Sequence, residues 1–174
     1  EVLSSLVGEE VILQVPKTEF CSFHDVYDKI RKVEDDSLVA IREGFQGSFS
    51  GQAYLIFPEK KSMDLASAVL GMQKIEGDIS EVAREALMEI GNIILNSCLG
   101  TVCNLLSFEI EGEIPTLEIW SSGQDDGFNR TGAFVHIIFQ MQERGSTGYL
   151  VIFMGQDSLN CLQSGIAALM ASYG

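Results

Sequence analysis

Five polar residues in one stretch, Glu81, Glu85, Glu89, Asn92 and Asn96, have the types and spacing to do chemistry. At 100° per residue they fall within an arc of about 80° on one face of a helix from about Ile79 to Asn104. Carboxylates bring charge and acceptors, and carboxamides bring an acceptor and a donor together. A metal-dependent hydrolase with Glu81, Glu85 and Glu89 as ligands is the weak reading, because three carboxylates in one row on one helix cannot surround an ion. A solvated polar face is the plain alternative, and most amphipathic helices have one. Two features set this stripe apart. Exposed faces usually mix signs to gain i,i+4 pairs, yet Glu81, Glu85 and Glu89 stack at that spacing without a lysine. Asn92 and Asn96 are mediocre helix formers at places where Lys or Gln would cost less.

Other chemistries find little support. Cys21, Cys98, Cys103 and Cys161 are scattered with no CxxC pair, which reads as free thiols in a reducing compartment. With only His24 and His136, no soft-ligand cluster for zinc exists, and both are read as ordinary structural histidines, His136 within the apolar run Ala133 to Phe139. GxSxG, P-loop and GxGxxG motifs are absent. The 25 acidic residues against 11 basic ones give a formal net charge of -14, which repels nucleic acid and anionic membrane surfaces. No apolar run approaches the roughly 18 to 20 residues needed to span a bilayer, and Glu1 to Glu10 has neither a basic start nor an apolar signal core. The expectation is a cytoplasmic protein without membrane insertion.

The elements that position the stripe can be read from periodicity. A strand from Glu10 to Val15 stops at Pro16, and a short helix from Ser22 to Ile30 is capped by Ser22. Strands Ser37 to Phe45 and Ser48 to Phe57 flank a turn at Gln46-Gly47. Pro58 opens a helix over Glu59 to Leu70. After the long helix come strands at Ser107 to Ile114 and Leu117 to Trp120, then a polar loop from Ser121 to Arg130. A hairpin joins Gly132 to Gln142 with Thr147 to Met154 through a bend at Glu143-Arg144-Gly145, and a last helix spans Ser158 to about Ser172. On the long helix, Ala83, Ala86, Leu87, Ile90, Ile94 and Thr101 form the core-facing stripe.

The two halves repeat each other. A shift of 99 residues lays Leu6-Val7 on Leu105-Leu106, Val11 on Ile110, Val15 on Ile114 and Pro16 on Pro115. A shift of 96 lays Ser50, Ile56, Phe57 and Ser62 on Ser146, Ile152, Phe153 and Ser158. One domain over 1–174, built of pseudo-repeats at about 1–72 and 79–174, follows. The first half lacks a counterpart of the long helix, of which Leu3 to Val7 would be the end. The expectation is an N-terminal helix upstream of Glu1.

The run Glu85-Ala86-Leu87-Met88-Glu89-Ile90-Gly91-Asn92, with Pro115 after 22 further residues, resembles the signature of the CheC/CheX/FliY family of chemotaxis phosphatases. That signature is Asp or Ser, three residues, Glu, two residues, Asn, then 22 residues and a proline. Glu85 stands where the family prefers Asp or Ser. Val15-Pro16-Lys17, the strand end Leu55-Ile56-Phe57-Pro58-Glu59 and the duplication look like CheC more than CheX.

The resemblance implies an α/β (α+β) fold, a pseudo-two-fold, mixed and largely antiparallel sheet covered by long helices. It implies a phosphatase acting on the aspartyl phosphate of a CheY-like response regulator. Carried onto this chain, Asn92 would orient the attacking water and Glu89 would pair with the regulator's lysine, with Glu85 and Asn96 supporting and Pro115 structural. No cofactor of its own is implied, since the regulator brings Mg²⁺. A CheC-like chain can also bind CheD, and flagellar-switch relatives keep the fold as a scaffold, so the alternative is a non-catalytic binding module. CheC-type chains need no strand exchange, so a monomer is expected.

Overall fold

The computed structural model describes residues 4, 10, 12–34, 37–72, 79–120, 131–140 and 145–173. Its centre is a seven-stranded sheet of β1 (Ile12–Ser22), β2 (Leu38–Gly47), β3 (Gly51–Pro58), β4 (Ile110–Gly112), β5 (Thr116–Trp120), β6 (Thr131–Gln140) and β7 (Gly145–Met154). The strand order is β1-β6-β7-β3-β2-β4, with β5 also paired to β2. Every described pairing is antiparallel, so the expected largely antiparallel sheet holds without a parallel component. Taking β4 aside, exchanging β1 with β5, β2 with β6 and β3 with β7 maps the order onto its own reverse.

Helices cover both faces. They are α1 (Phe23–Arg31), α2 (Glu59–Val69), α3 (Glu81–Leu106) and α4 (Gln156–Ser172). Ser22 starts α1 as expected. Its hydroxyl accepts from the Asp25 amide at 3.2 Å while the Asp25 carboxylate accepts from the Ser22 amide at 3.2 Å, a reciprocal cap. Alternation along β2 then sorts the core into two clusters. Leu38 and Ala40 join Val26 and Ile30 of α1, with Tyr54, Trp120 and Phe153, on one face. Val39, Ile41 and Phe45 face the other way, onto Ala83, Leu87, Ile90 and Ile94 of α3 and Leu65 of α2.

Several expected boundaries move. β1 continues through Pro16 to Ser22, with a register shift between Gln14 and Lys17. At an edge strand a proline's missing donor can be absorbed in such an irregularity, so it need not end pairing. The first hairpin turns at residues 48–50 rather than at Gln46-Gly47. α3 runs past Asn104 to Leu106, where Ser107 takes a left-handed conformation with φ 56°. That extension shortens the strand expected over Ser107 to Ile114 to Ile110–Gly112. Thr101 is exposed, its hydroxyl donating to the Ser97 carbonyl at 2.7 Å, so the core stripe continues through Leu95, Leu99 and Cys103 instead. His136 lies on β6 opposite Tyr149. The proposed Leu3 to Val7 helix end, apart from Ser4, the loop Ser121 to Arg130 and the bend residues Glu143 and Arg144 lie outside the described residues.

α3 also corrects the expectation about apolar runs, because with 26 residues it is long and apolar enough to cross a membrane by length and composition. It packs along the sheet with its buried stripe inward, and the polar stripe occupies the opposite side. Here it is the core helix of the domain.

It comes close to the sheet at Gly91. A Cβ there would sit 2.5 Å from Ile41 Cγ2 and 3.0 Å from Ile41 Cβ, so only glycine lets the helix lie against β2 at this depth. Ile41 is β-branched and fully buried, and it has little freedom to withdraw. Gly91→Ala should therefore lower stability by about 1 to 3 kcal/mol through overpacking. That is the opposite sign to the gain of roughly 1 kcal/mol that alanine brings to an ordinary helix interior. In urea titrations, the double variant Gly91→Ala/Ile41→Ala should lose clearly less than the sum of the two single changes. Simple additivity would show that the two residues do not press on each other.

Candidate functional site

The outer face of α3 brings the expected residues together. Ser80 caps the helix, its hydroxyl accepting from the Ala83 amide at 3.2 Å, and the stripe begins one residue later. Glu81, Glu85, Glu89 and Asn96 are exposed, and Asn92 is half-buried.

One pair of hydrogen bonds fixes the carboxamides. Asn96 Nδ2 donates to the Asn92 carbonyl at 2.9 Å and to Asn92 Oδ1 at 2.7 Å. A backbone carbonyl can only accept, so the Asn96 atom facing it is the nitrogen, and the Asn92 atom it also meets is the oxygen. The Asn92 amide plane is thereby set. Its Oδ1 keeps a second lone pair for another donor, and its Nδ2 keeps both hydrogens. Asn96 thus holds Asn92 directly. Glu85 and Glu89 make no hydrogen bond or ion pair among the described residues. Glu85 does not touch the Asn92 carboxamide through a hydrogen bond, so the first motif position gives it no polar support.

Pro115 stands immediately before β5 and is half-buried. The next residues, Thr116 and Leu117, pair with Arg42 and Ile41 of β2. The proline therefore starts the strand that flanks the same Ile41 on which Gly91 rests. This is a structural place, not one on the polar face. Among the described residues, no group of three His, Cys, Asp or Glu side chains is disposed to hold a metal ion.

The site has one residue that periodicity alone passed over. Glu43 lies on β2 between Ile41 and Phe45 on the α3 side, only 1% exposed, and Oε2 has no hydrogen-bond partner among the described residues. The alternation Val39, Ile41, Glu43, Phe45 was the available signal: a glutamate in an inward-facing register. Burial pushes its carboxyl above the usual glutamate range. Glu34 shows the contrast. It accepts from Lys61 Nζ at 2.7 Å and from the Tyr149 hydroxyl at 3.4 Å. Burial, and then the Glu34 charge, push Tyr149 up to about 12.

The family comparison can now be made. Residues 39–121 match the family model described as chemotaxis phosphatase CheX, a stretch that contains Glu89, Asn92 and Pro115. The resemblance to the CheC/CheX/FliY family holds. Among solved structures, Thermotoga maritima FliY is similar over 96% of this chain and 87% of its own, with TM-score 0.76 and 17% identity. The FliM middle domain from H. pylori gives TM-score 0.66 at 14% identity, covering 94% of this chain and 87% of its own. CheX in the CheX-CheY-BeF3-Mg complex from Borrelia burgdorferi gives 0.58 at 15% identity, over 88% and 91%. At such identities these likenesses establish the CheC/CheX/FliY fold. No curated protein sequence matches the chain.

The buried carboxyl gives a pH prediction. A glutamate whose folded pKa lies above its ordinary value of 4.5 binds its proton more tightly in the fold. Its contribution is then most favourable below 4.5 and is lost as pH rises through the folded value. Glu43→Gln, which keeps the shape without the charge, should gain stability relative to the parent as pH is raised from 4 to 8. Thermal unfolding of both proteins across that range checks it, and a difference that stays constant with pH would contradict a buried, titrating Glu43.

Proposed function

We propose that this chain hydrolyses the aspartyl phosphate of a CheY-like response regulator, with Asn92 orienting the attacking water and Glu89 pairing with a lysine of the regulator. The observation that carries the reading is the Asn92 carboxamide, half-buried on the outer face of α3 and fixed by Asn96 at the motif's asparagine position. The match to the CheX family model supports a phosphatase in general terms, and the CheX-CheY complex supports a CheY-like partner.

The chemistry asks little of this chain. Water oxygen attacks phosphorus, the bond from phosphorus to the aspartyl oxygen breaks, and the products are inorganic phosphate and the free aspartate, with the water's proton passing to phosphate. The regulator's own Mg²⁺, held by its acidic pocket, would supply charge neutralisation at the phosphoryl group. What remains is to hold a water in line. The free lone pair of Asn92 Oδ1 can accept from that water, while Nδ2 donates to an oxygen nearby. Glu89, one turn earlier and exposed, is placed to give a charge-assisted contact that sets the docking register. The chain needs no cofactor of its own in this scheme. We take it to work as a cytoplasmic monomer, one domain of two pseudo-repeats.

The second reading is a non-catalytic module of the flagellar-switch kind, or one that binds a CheD-type deamidase. The likeness to the FliM middle domain favours it, as does the lack of a polar contact between Glu85 and Asn92.

Two variants separate the readings. Asn92→Ala should slow dephosphorylation by roughly 10²-fold or more while docking survives, since the lost group acts on the water. Undiminished turnover in that variant would move the chain to the second reading. Glu89→Gln should weaken binding of the phosphorylated regulator and flatten its dependence on salt between low and physiological ionic strength. An unchanged affinity and salt slope would remove Glu89 from the interface.

A further inference from the structure

A cleft lies beside Asn96, at the C-terminal end of the polar stripe. Its volume is about 890 Å³, and it is bounded by the second half of α3, the end of β2 and β4. That is within the range of sites that take small organic ligands.

Two acceptors without a donor among the described residues border the cleft. Glu43 reaches it from β2, and its Oε2 is buried with no partner among the described residues. Asn96, on the exposed side, borders it from α3, and both its hydrogen bonds among the described residues use Nδ2, leaving Oδ1 without a donor there. Gly112 of β4 makes room for both. A Cβ on Gly112 would collide with Glu43 Oε1 and lie 3.6 Å from Asn96 Oδ1, so Oε1, the other oxygen of the same carboxyl, and Asn96 Oδ1 face one point above the strand. A buried carboxyl left without a donor is costly, and few such groups persist in folded proteins without a reason.

The rest of the lining selects the ligand. No Lys, Arg or His borders the cleft, and Glu109 and Glu111 add negative charge. Leu99, Cys103 and Phe108 give an apolar wall alongside. Two converging oxygens are too few for a calcium or magnesium ion, which needs six or more. They suit an N–H cation instead, with the wall covering its carbon stem.

We infer that this cleft is a binding site for an alkylammonium or alkylguanidinium group, whose N–H bonds are accepted by Glu43 and Asn96 Oδ1 and whose aliphatic stem packs on Leu99 and Phe108. The same chemistry is offered by a free aliphatic amine and by a lysine or arginine side chain of a protein. The site does not depend on Asn92 being catalytic.

The test is a titration of the full chain followed by NMR, reading the Gly112 backbone amide and the Asn96 side-chain amide. One arm uses n-butylammonium chloride, a second uses an acetylated, amidated Ala-Lys-Ala peptide, and a control uses neutral n-pentanol. Saturable shifts at both amides with either cation, and at least tenfold weaker binding of the neutral control, support the site. The tighter of the two cations then identifies the source as free amine or protein side chain. Glu43→Gln should weaken the cation by tenfold or more. No saturable shift with either cation, or n-pentanol binding as tightly as n-butylammonium on the parent chain, would overturn the inference. The n-pentanol comparison needs no variant, so it stands even if Glu43→Gln alters folding.

Discussion

The contact on which the site depends is steric: α3 lies on β2 at a depth that leaves no room for a Cβ at residue 91. The helix can descend there because Gly91 meets the branched side chain of Ile41, which is itself held by pairing on both sides, to Leu55 of β3 and Leu117 of β5. Asn92, the next residue, is half-buried on the outer face. Its carboxamide is then near enough to the surface to meet a partner and constrained enough to keep one orientation, with Asn96 supplying the constraint. Glycine is poor in a helix interior by roughly 1 kcal/mol, and here the lost propensity is offset by the packing it permits.

The same sheet explains why acidic groups have different roles at different depths. Glu89 on the outer face is exposed. Glu43, three strand positions along from Ala40 and on the opposite face of the sheet, is enclosed by the same helix and has no donor among the described residues. Glu34, also withdrawn from solvent, is matched by Lys61 and Tyr149. A chain with formal net charge -14 has few cations to spend inside, so an unmatched acid in a cleft invites a cation from outside.

Much of this was legible in the residues. The capping pair at Ser22 and Asp25, the hairpins and the long amphipathic helix follow from local rules, and the Glu89, Asn92 and Pro115 spacing carried the resemblance to the family. Boundaries were misread where tertiary contacts override local signals. Pro16 looks like a stop, but an edge strand with an irregular register absorbs it. Thr101 fits the helical arc of the core, yet it is exposed, because the buried contacts pass to Leu99 and Cys103 on another side of α3. Gly91 was visible as part of a motif, whereas its reason lay in Ile41, fifty residues away in sequence. Glu43 was hidden by its strand: a polar residue in an apolar alternation can mark an edge, an irregularity or a site, and only the fold distinguishes them.

The central claim is that a positioned carboxamide, on a helix seated by Gly91, accelerates loss of an acyl phosphate from a docked regulator. It is tested most directly by the lifetime of the aspartyl phosphate on a CheY-like response regulator at saturating concentrations of this chain. The account predicts a lifetime shortened by roughly 10²-fold or more relative to the regulator alone. A regulator that binds the chain measurably and yet keeps its phosphate as long as it does alone would contradict it.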